Sequence, residues 1–188
     1  MLRIILLAAA SLIAAPAAAQ GFYVGGHFGQ QTVDDFCDGI GGSGVTCDDS
    51  DTIWRVVGGF QASRNLAVEV AYTNLGEVGA RGPGGTVSVE ATTLEFVAVG
   101  AVPLTDRVAL YGKAGLYRGD TEARADTFVV SGTFSETNTD LTFGAGLAFS
   151  VADNVTLRGE WQRYTDVGGG EIGEADIDVL SVGVLVRF

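Results

Sequence analysis

Three groups of residues in this chain have side chains suited to chemistry: a lone histidine, a set of charged residues at strand-like spacing, and an acidic loop that carries both cysteines. His27 is the only histidine. A serine nucleophile would need that imidazole within hydrogen-bond reach. Ser150 and Ser181 fall on different segments with no motif around them, so no catalytic residue is assigned and no enzymatic activity is expected. The loop gathers Asp34, Asp35, Asp38, Asp48, Asp49 and Asp51 around Cys37, Cys47 and a Gly41-Gly42-Ser43-Gly44 stretch. Carboxylate oxygens suit calcium, and a disulfide would help to hold them together. The spacing matches no EF-hand, so the expected state is a solvated acidic loop, open to an extracellular ligand, with no metal and no cofactor. Two thiols without a histidine beside them make a poor metal site.

The charged set is Arg55, Glu69, Glu95, Lys113, Arg158 and Glu160. Each lies in a stretch where every second residue is apolar, and each takes the other parity. Around Glu69, for example, Leu66, Val68, Val70 and Tyr72 alternate with Ala67, Glu69 and Ala71. A period of two is the signature of a strand with two unlike faces. The pattern recurs about eight times: Gly21 to about Val33, Thr52–Gln61, Leu66–Tyr72, Thr86–Val102, Val108–Tyr117, Leu141–Phe149, Val155–Gln162 and Leu180–Phe188. Short links near 63–65, 103–106 and 152–154 alternate with longer ones near 34–50, 79–85, 125–137 and 168–175. Short turns on one side and long loops on the other describe an up-and-down transmembrane barrel.

A lipocalin-like soluble barrel would turn the apolar parity inward and expose the other to water. In several strands that other parity is too small and too weakly charged for a soluble exterior, as in Gly144, Gly146 and Ala148, or Val97, Val99 and Ala101. The fold class expected is therefore all-β, an eight-stranded antiparallel up-and-down transmembrane β-barrel. With the apolar parity toward lipid, the six charged residues project into the lumen, and Arg187 sits near the rim. A lipid-facing charge at mid-depth would cost about 2–4 kcal/mol, so their shared parity supports the assignment. Near balance of sign points to interlocked salt bridges. These either fill and rigidify the barrel or gate a narrow water path. Phe22, Tyr23, Trp54, Phe60, Tyr72, Trp161, Tyr164 and Phe188 suit interfacial aromatic belts.

The start of the chain fits the same compartment. Met1-Leu2-Arg3 precedes an apolar run from Ile4 to about Ala15 and a small-residue A-x-A site. That run is shorter than the ~20 residues of a membrane-spanning helix, and the whole reads as a signal peptide over 1–19. Cleavage after Ala19 leaves one domain, 20–188. Export places Cys37 and Cys47, the only cysteines, in an oxidising compartment where a disulfide is expected. The chain carries a formal net charge of −12, and losing Arg3 makes it one more negative. Such a charge disfavours nucleic acid and anionic lipid as partners.

The chain resembles the OmpA-like eight-stranded outer-membrane barrel family. The likeness is carried by Gly21-Phe22-Tyr23-Val24-Gly25-Gly26, Leu66-Ala67-Val68-Glu69-Val70-Ala71-Tyr72, Lys113-Ala114-Gly115-Leu116-Tyr117, Leu157-Arg158-Gly159-Glu160-Trp161 and Val186-Arg187-Phe188. The resemblance implies a lumen salt-bridge cluster mapping onto Glu69, Lys113, Arg158, Glu95 and Glu160. It also implies that Phe188 is the signal read by the barrel-assembly machinery. With the chain ending at Phe188, the peptidoglycan-binding domain of larger members is not expected. The function expected is a monomeric structural and surface protein of a Gram-negative outer membrane, in contact with its lipid, supporting envelope integrity and surface interactions. The alternatives are a low-conductance porin-like channel and an adhesin or host-interaction protein.

Overall fold

The computed structural model describes residues 21–33, 37, 45–127, 131–169 and 173–188. The signal peptide expected over 1–19, the three acids Asp34, Asp35 and Asp38, and part of the last loop lie outside them. The strands are β1 (Gly21–Val33), β2 (Thr46–Asp48), β3 (Ser50–Gln61), β4 (Leu66–Gly82), β5 (Gly85–Pro103), β6 (Val108–Thr127), β7 (Ser131–Ala152), β8 (Val155–Gly169) and β9 (Gly173–Arg187). Eight long strands run antiparallel in the order β4-β3-β1-β9-β8-β7-β6-β5, and pairing of β4 with β5 closes the barrel. The short β2 is an extra piece laid against the upper part of β4. Closure leaves the membrane-embedded backbone with no open edge, as hydrocarbon demands.

The outward face is apolar over one band and changes abruptly above it. Phe22, Phe28, Leu180 and Val182 are each at least two-thirds exposed, a surface a water-soluble monomer would not present. The same outward parity then turns polar at Gln30, Thr52, Asn74, Thr92, Arg118, Thr139, Arg163 and Asp178. Those eight positions, one per strand, mark the outer edge of the lipid contact.

Above that edge the strands continue as a collar, where the sequence suggested loops. The connection expected near 79–85 is a turn at Pro83-Gly84. Strand structure also covers 125–127, 131–137 and 173–175. The reason is an inversion of polarity. Within the membrane the outward parity of β5 is apolar, as in Leu94 and Phe96. In the collar Val89, opposite Ala123, packs inward against the buried cluster, while Ser88 and Glu90 take the outward parity. Alternation persists, but the apolar phase shifts by one residue, because water replaces lipid outside.

Two irregularities shape the collar. The β4–β5 register shifts between Asn74 and Glu77, where Gly76 has φ +80°. A Cβ there would lie 2.4 Å from Asp51 Oδ2, so the bulge admits glycine alone. Asp51 uses that space: its carboxylate accepts the Glu77 N–H at 2.8 Å and the Thr52 N–H at 2.6 Å. The second lies at the β7–β8 seam. Pairing of these strands begins at Thr142 opposite Tyr164, and Asp166 adopts φ +52°. Ser131–Leu141 consequently pairs with β6 only.

Candidate functional site: the lumen network

Alternation along each strand sends Arg55, Glu69, Glu95, Lys113 and Glu160 into the lumen, all at most 4% exposed. Arg158 joins them, its side chain 10% exposed. These side chains form two connected rungs across the barrel. In the upper rung Glu160 is the hub. Its Oε1 accepts Arg55 Nη1 at 2.6 Å and Lys113 Nζ at 2.5 Å, and its Oε2 accepts the Tyr111 hydroxyl at 2.7 Å. Glu95 faces Arg55 Nε at 3.1 Å and Lys113 Nζ at 3.9 Å. It also accepts hydroxyls from Thr73 and Tyr164 at 3.1 and 3.0 Å.

Gln162 locks this rung and was not singled out from sequence. Its Oε1 accepts both Arg55 and Lys113, at 2.7 and 2.5 Å. Its Nε2 donates to Glu95 and Thr142, each at 2.7 Å. An amide is the neutral side chain that can accept from cations at one end while donating to an anion at the other. Its lumen parity between Glu160 and Tyr164 is the signal that could have found it. The lower rung is Glu69 and Arg158. Glu69 Oε1 accepts Arg158 Nη1 at 2.5 Å and the Tyr23 hydroxyl at 2.6 Å. The Arg158 guanidinium lies 4.7 Å from the Tyr111 ring centroid and 5.7 Å from that of Tyr23, within cation–π range.

Three cations thus meet three carboxylates inside the barrel. Each ion has several partners, which buried charge requires. Above the rungs Ile53, Leu75, Val78, Tyr117, Tyr164 and Ile177 belong to one apolar cluster, with the buried polar side chains of Gln31 and Thr121 at the same level. Tyr117 and Tyr164 meet edge to face at 5.2 Å. Two belt assignments are therefore corrected. Tyr23 and Tyr164 are 3% and 0% exposed and serve the lumen, because they fall on the inward parity. Trp54, Tyr72 and Trp161 do face outward.

The remaining chemical candidates are occupied structurally. The His27 ring lies on Gly183, where a Cβ would be 2.4 Å from its Cγ. Similarly, Tyr111 lies over Gly146, where a Cβ would meet the hydroxyl oxygen at 2.7 Å. Glycine opposite each bulky lumen residue is what lets the ring lie flat against the wall. Ser181 is buried beside the upper rung, across from Glu160, and Ser150 is exposed near the short turns. Cys37 and Cys47 form a disulfide, which joins the first loop to β2. Of the acidic loop, Asp51 is committed to backbone amides. No group of three metal-ligating side chains is found among the described residues. Phe188 is 79% exposed, and its N–H donates to the Phe22 carbonyl at 3.0 Å, seating the chain end against β1.

The comparisons with known proteins agree with this architecture. The family model for the outer membrane protein beta-barrel domain matches residues 4–188. Outer membrane protein A of Klebsiella pneumoniae is 27% identical over 135 residues, covering 70% of this chain and 39% of that protein. The chain thus spans about two fifths of the length of the curated relatives it matches. Neisserial surface protein A shares the fold with a TM-score of 0.59 at 18% identity, covering 89% of this chain and 97% of the other. The N-terminal β-barrel domain of OprF from Pseudomonas aeruginosa has a TM-score of 0.58 at 13% identity, covering 90% and 98%. Ail, the attachment invasion locus protein of Yersinia pestis, has a TM-score of 0.54 at 15% identity, covering 90% and 97%. With its closed eight-stranded barrel, apolar belt and matched family model, this chain belongs to the outer membrane β-barrel family and is a protein of the Gram-negative outer membrane.

Proposed function

We propose that the protein is a monomeric, non-catalytic scaffold of the outer membrane that supports envelope integrity and offers its collar for surface contact. One observation carries this reading: the lumen is occupied at successive levels by the Glu69–Arg158 rung, the Glu160–Arg55–Lys113–Glu95 rung and the Tyr117–Tyr164 cluster. A water path would have to break ionic contacts, costly in a low dielectric, and then cross a closely filled and mostly apolar plug. The name of the Yersinia relative refers to attachment, in keeping with a surface role for the acidic collar.

Planar-bilayer recording of the refolded chain, beside Arg158→Ala, tests the reading. Silence is expected from both when folded insertion is verified, because the upper rung and the plug remain in the variant. Discrete openings in the unaltered protein would instead make it a channel. For Phe188 the proposed role is recognition by the barrel-assembly machinery. Phe188→Ala is expected to slow insertion in cells while leaving refolding into lipid in vitro unchanged. Equal effects in both settings would make its role one of packing.

A further inference from the structure

We propose that the short-turn end of the lumen is a binding site for a small organic carboxylate. Below the lower rung the barrel opens into a vestibule of about 230 Å³. A cavity of roughly 150 Å³ accommodates benzene, so this space suits one ring or short aliphatic body with an anionic group. Its floor is the Arg158 guanidinium, whose Nη1 is held by Glu69 and whose side chain keeps 10% exposure, while its buried Nε has no hydrogen-bond partner among the described residues. Part of its wall is small and apolar, with Ala67, Val99, Ala101 and Ala109 beside the rings of Tyr23 and Tyr111, and the rest is polar, with Gln61, Asn65, Ser150 and Thr156.

Arg64 and Arg187 stand at the rim, and Asp153 is the single acid among the lining residues. Neither rim arginine has an ion-pair partner among the described residues. This cationic end contrasts with the acidic whole chain. Guanidinium groups favour carboxylate and phosphate through paired N–H donors. The alanine, valine and tyrosine part of the wall favours an organic carboxylate, since a bare phosphate would leave it uncovered. The plug closes the other end, so a ligand enters and leaves from the periplasm.

The test uses isotope-labelled protein refolded into nanodiscs of zwitterionic lipid, following the Arg158 Nε–Hε resonance. Benzoate is the probe, benzamide its uncharged counterpart, and inorganic phosphate the anion without a ring. Benzoate is expected to shift the resonance saturably, with benzamide and phosphate at least about tenfold weaker. Arg187→Gln is expected to weaken benzoate roughly fivefold through loss of a partly screened charge. Ala101→Leu, which fills the vestibule, is expected to abolish the shift with the barrel still folded by circular dichroism. Absence of a saturable shift, equal binding of benzamide, or unchanged affinity in Arg187→Gln would overturn the proposal. Phosphate binding as well as benzoate would overturn the organic part of the assignment and leave a simple anion site.

Discussion

At the scale of single residues, the lumen is governed by the rule that a buried ion must be matched. Glu160 takes hydrogen bonds from Arg55, Lys113 and Tyr111. Glu160→Ala would leave two buried cations sharing Glu95 and is expected to destabilise the barrel by about 3–5 kcal/mol. Glu160→Gln also removes the charge and should be clearly destabilising. Combining it with Lys113→Met removes one charge of each sign and leaves Arg55 with Glu95 and Arg158 with Glu69. That double variant is expected to regain most of the loss, because replacing a whole buried pair is often nearly neutral. Urea unfolding in lipid vesicles, read as a double-mutant cycle, measures the coupling. Strictly additive losses would mean that the rung is not a coupled unit.

At the scale of elements, the collar depends on how β4 is bent. Gly76 combines a left-handed backbone with contact to Asp51, so Gly76→Ala should strain the bulge by about 1–3 kcal/mol. The damage should stay local, since the lipid-facing strands below it keep their pairing. Hydrogen exchange should accelerate at 77–90 with the membrane-embedded amides unchanged, and uniform acceleration would show that collar and barrel unfold as one. The elements differ in how far the sequence revealed them. The lipid-facing segments were legible because one parity of each is uninterruptedly apolar, as in Leu141, Phe143, Ala145, Leu147 and Phe149. That parity also separates Arg55, Glu69, Glu95, Lys113, Arg158 and Glu160 from the outward residues. The collar was legible only in part. Thr86–Val102 reads as a strand well into it, whereas Ser131–Asp140, where Phe134 is the lone large apolar residue, looks like a loop when lipid-facing residues are the criterion. Partner choice was hidden as well. Which acid meets which base depends on strand stagger around the closed barrel, and single-strand alternation does not carry it. Gln162 escaped notice because it is uncharged.

At the scale of the whole molecule, the decisive property is how charge is distributed along the barrel axis. The outer collar carries Glu77, Glu90, Asp120, Glu122, Asp126 and Asp166 against few arginines, whereas the short-turn end presents Arg64, Arg107 and Arg187. Glu77, Glu90 and Glu122 even stand directly opposite one another across three neighbouring strands, an arrangement that costs stability. Arg124 offsets part of it by pairing with Glu122 at 2.6 Å, an exposed contact of little worth. Retaining such repulsion makes physical sense beside the Ser131–Leu141 stretch of β7. Among the described residues its backbone pairs on one side only, with side-chain hydrogen bonds to β8 at Asn138 and Leu141, and such an edge offers a template for a second chain. Two copies meeting edge to edge there would bring two acidic collars together. Charge then acts as the guard on an edge whose backbone, among the described residues, pairs on one side only. The guard is electrostatic and therefore sensitive to salt, since the screening length falls from about 30 Å at 0.01 M to about 3 Å at 1 M. In detergent or nanodiscs the protein is expected to remain monomeric at low salt and to associate increasingly as salt rises. Crosslinking through a cysteine placed at Thr137, on that edge, reports the contact, and analytical ultracentrifugation reports the mass. Association that is equal at all salt concentrations, or strongest at low salt, would show that the acidic collar is not what keeps the copies apart.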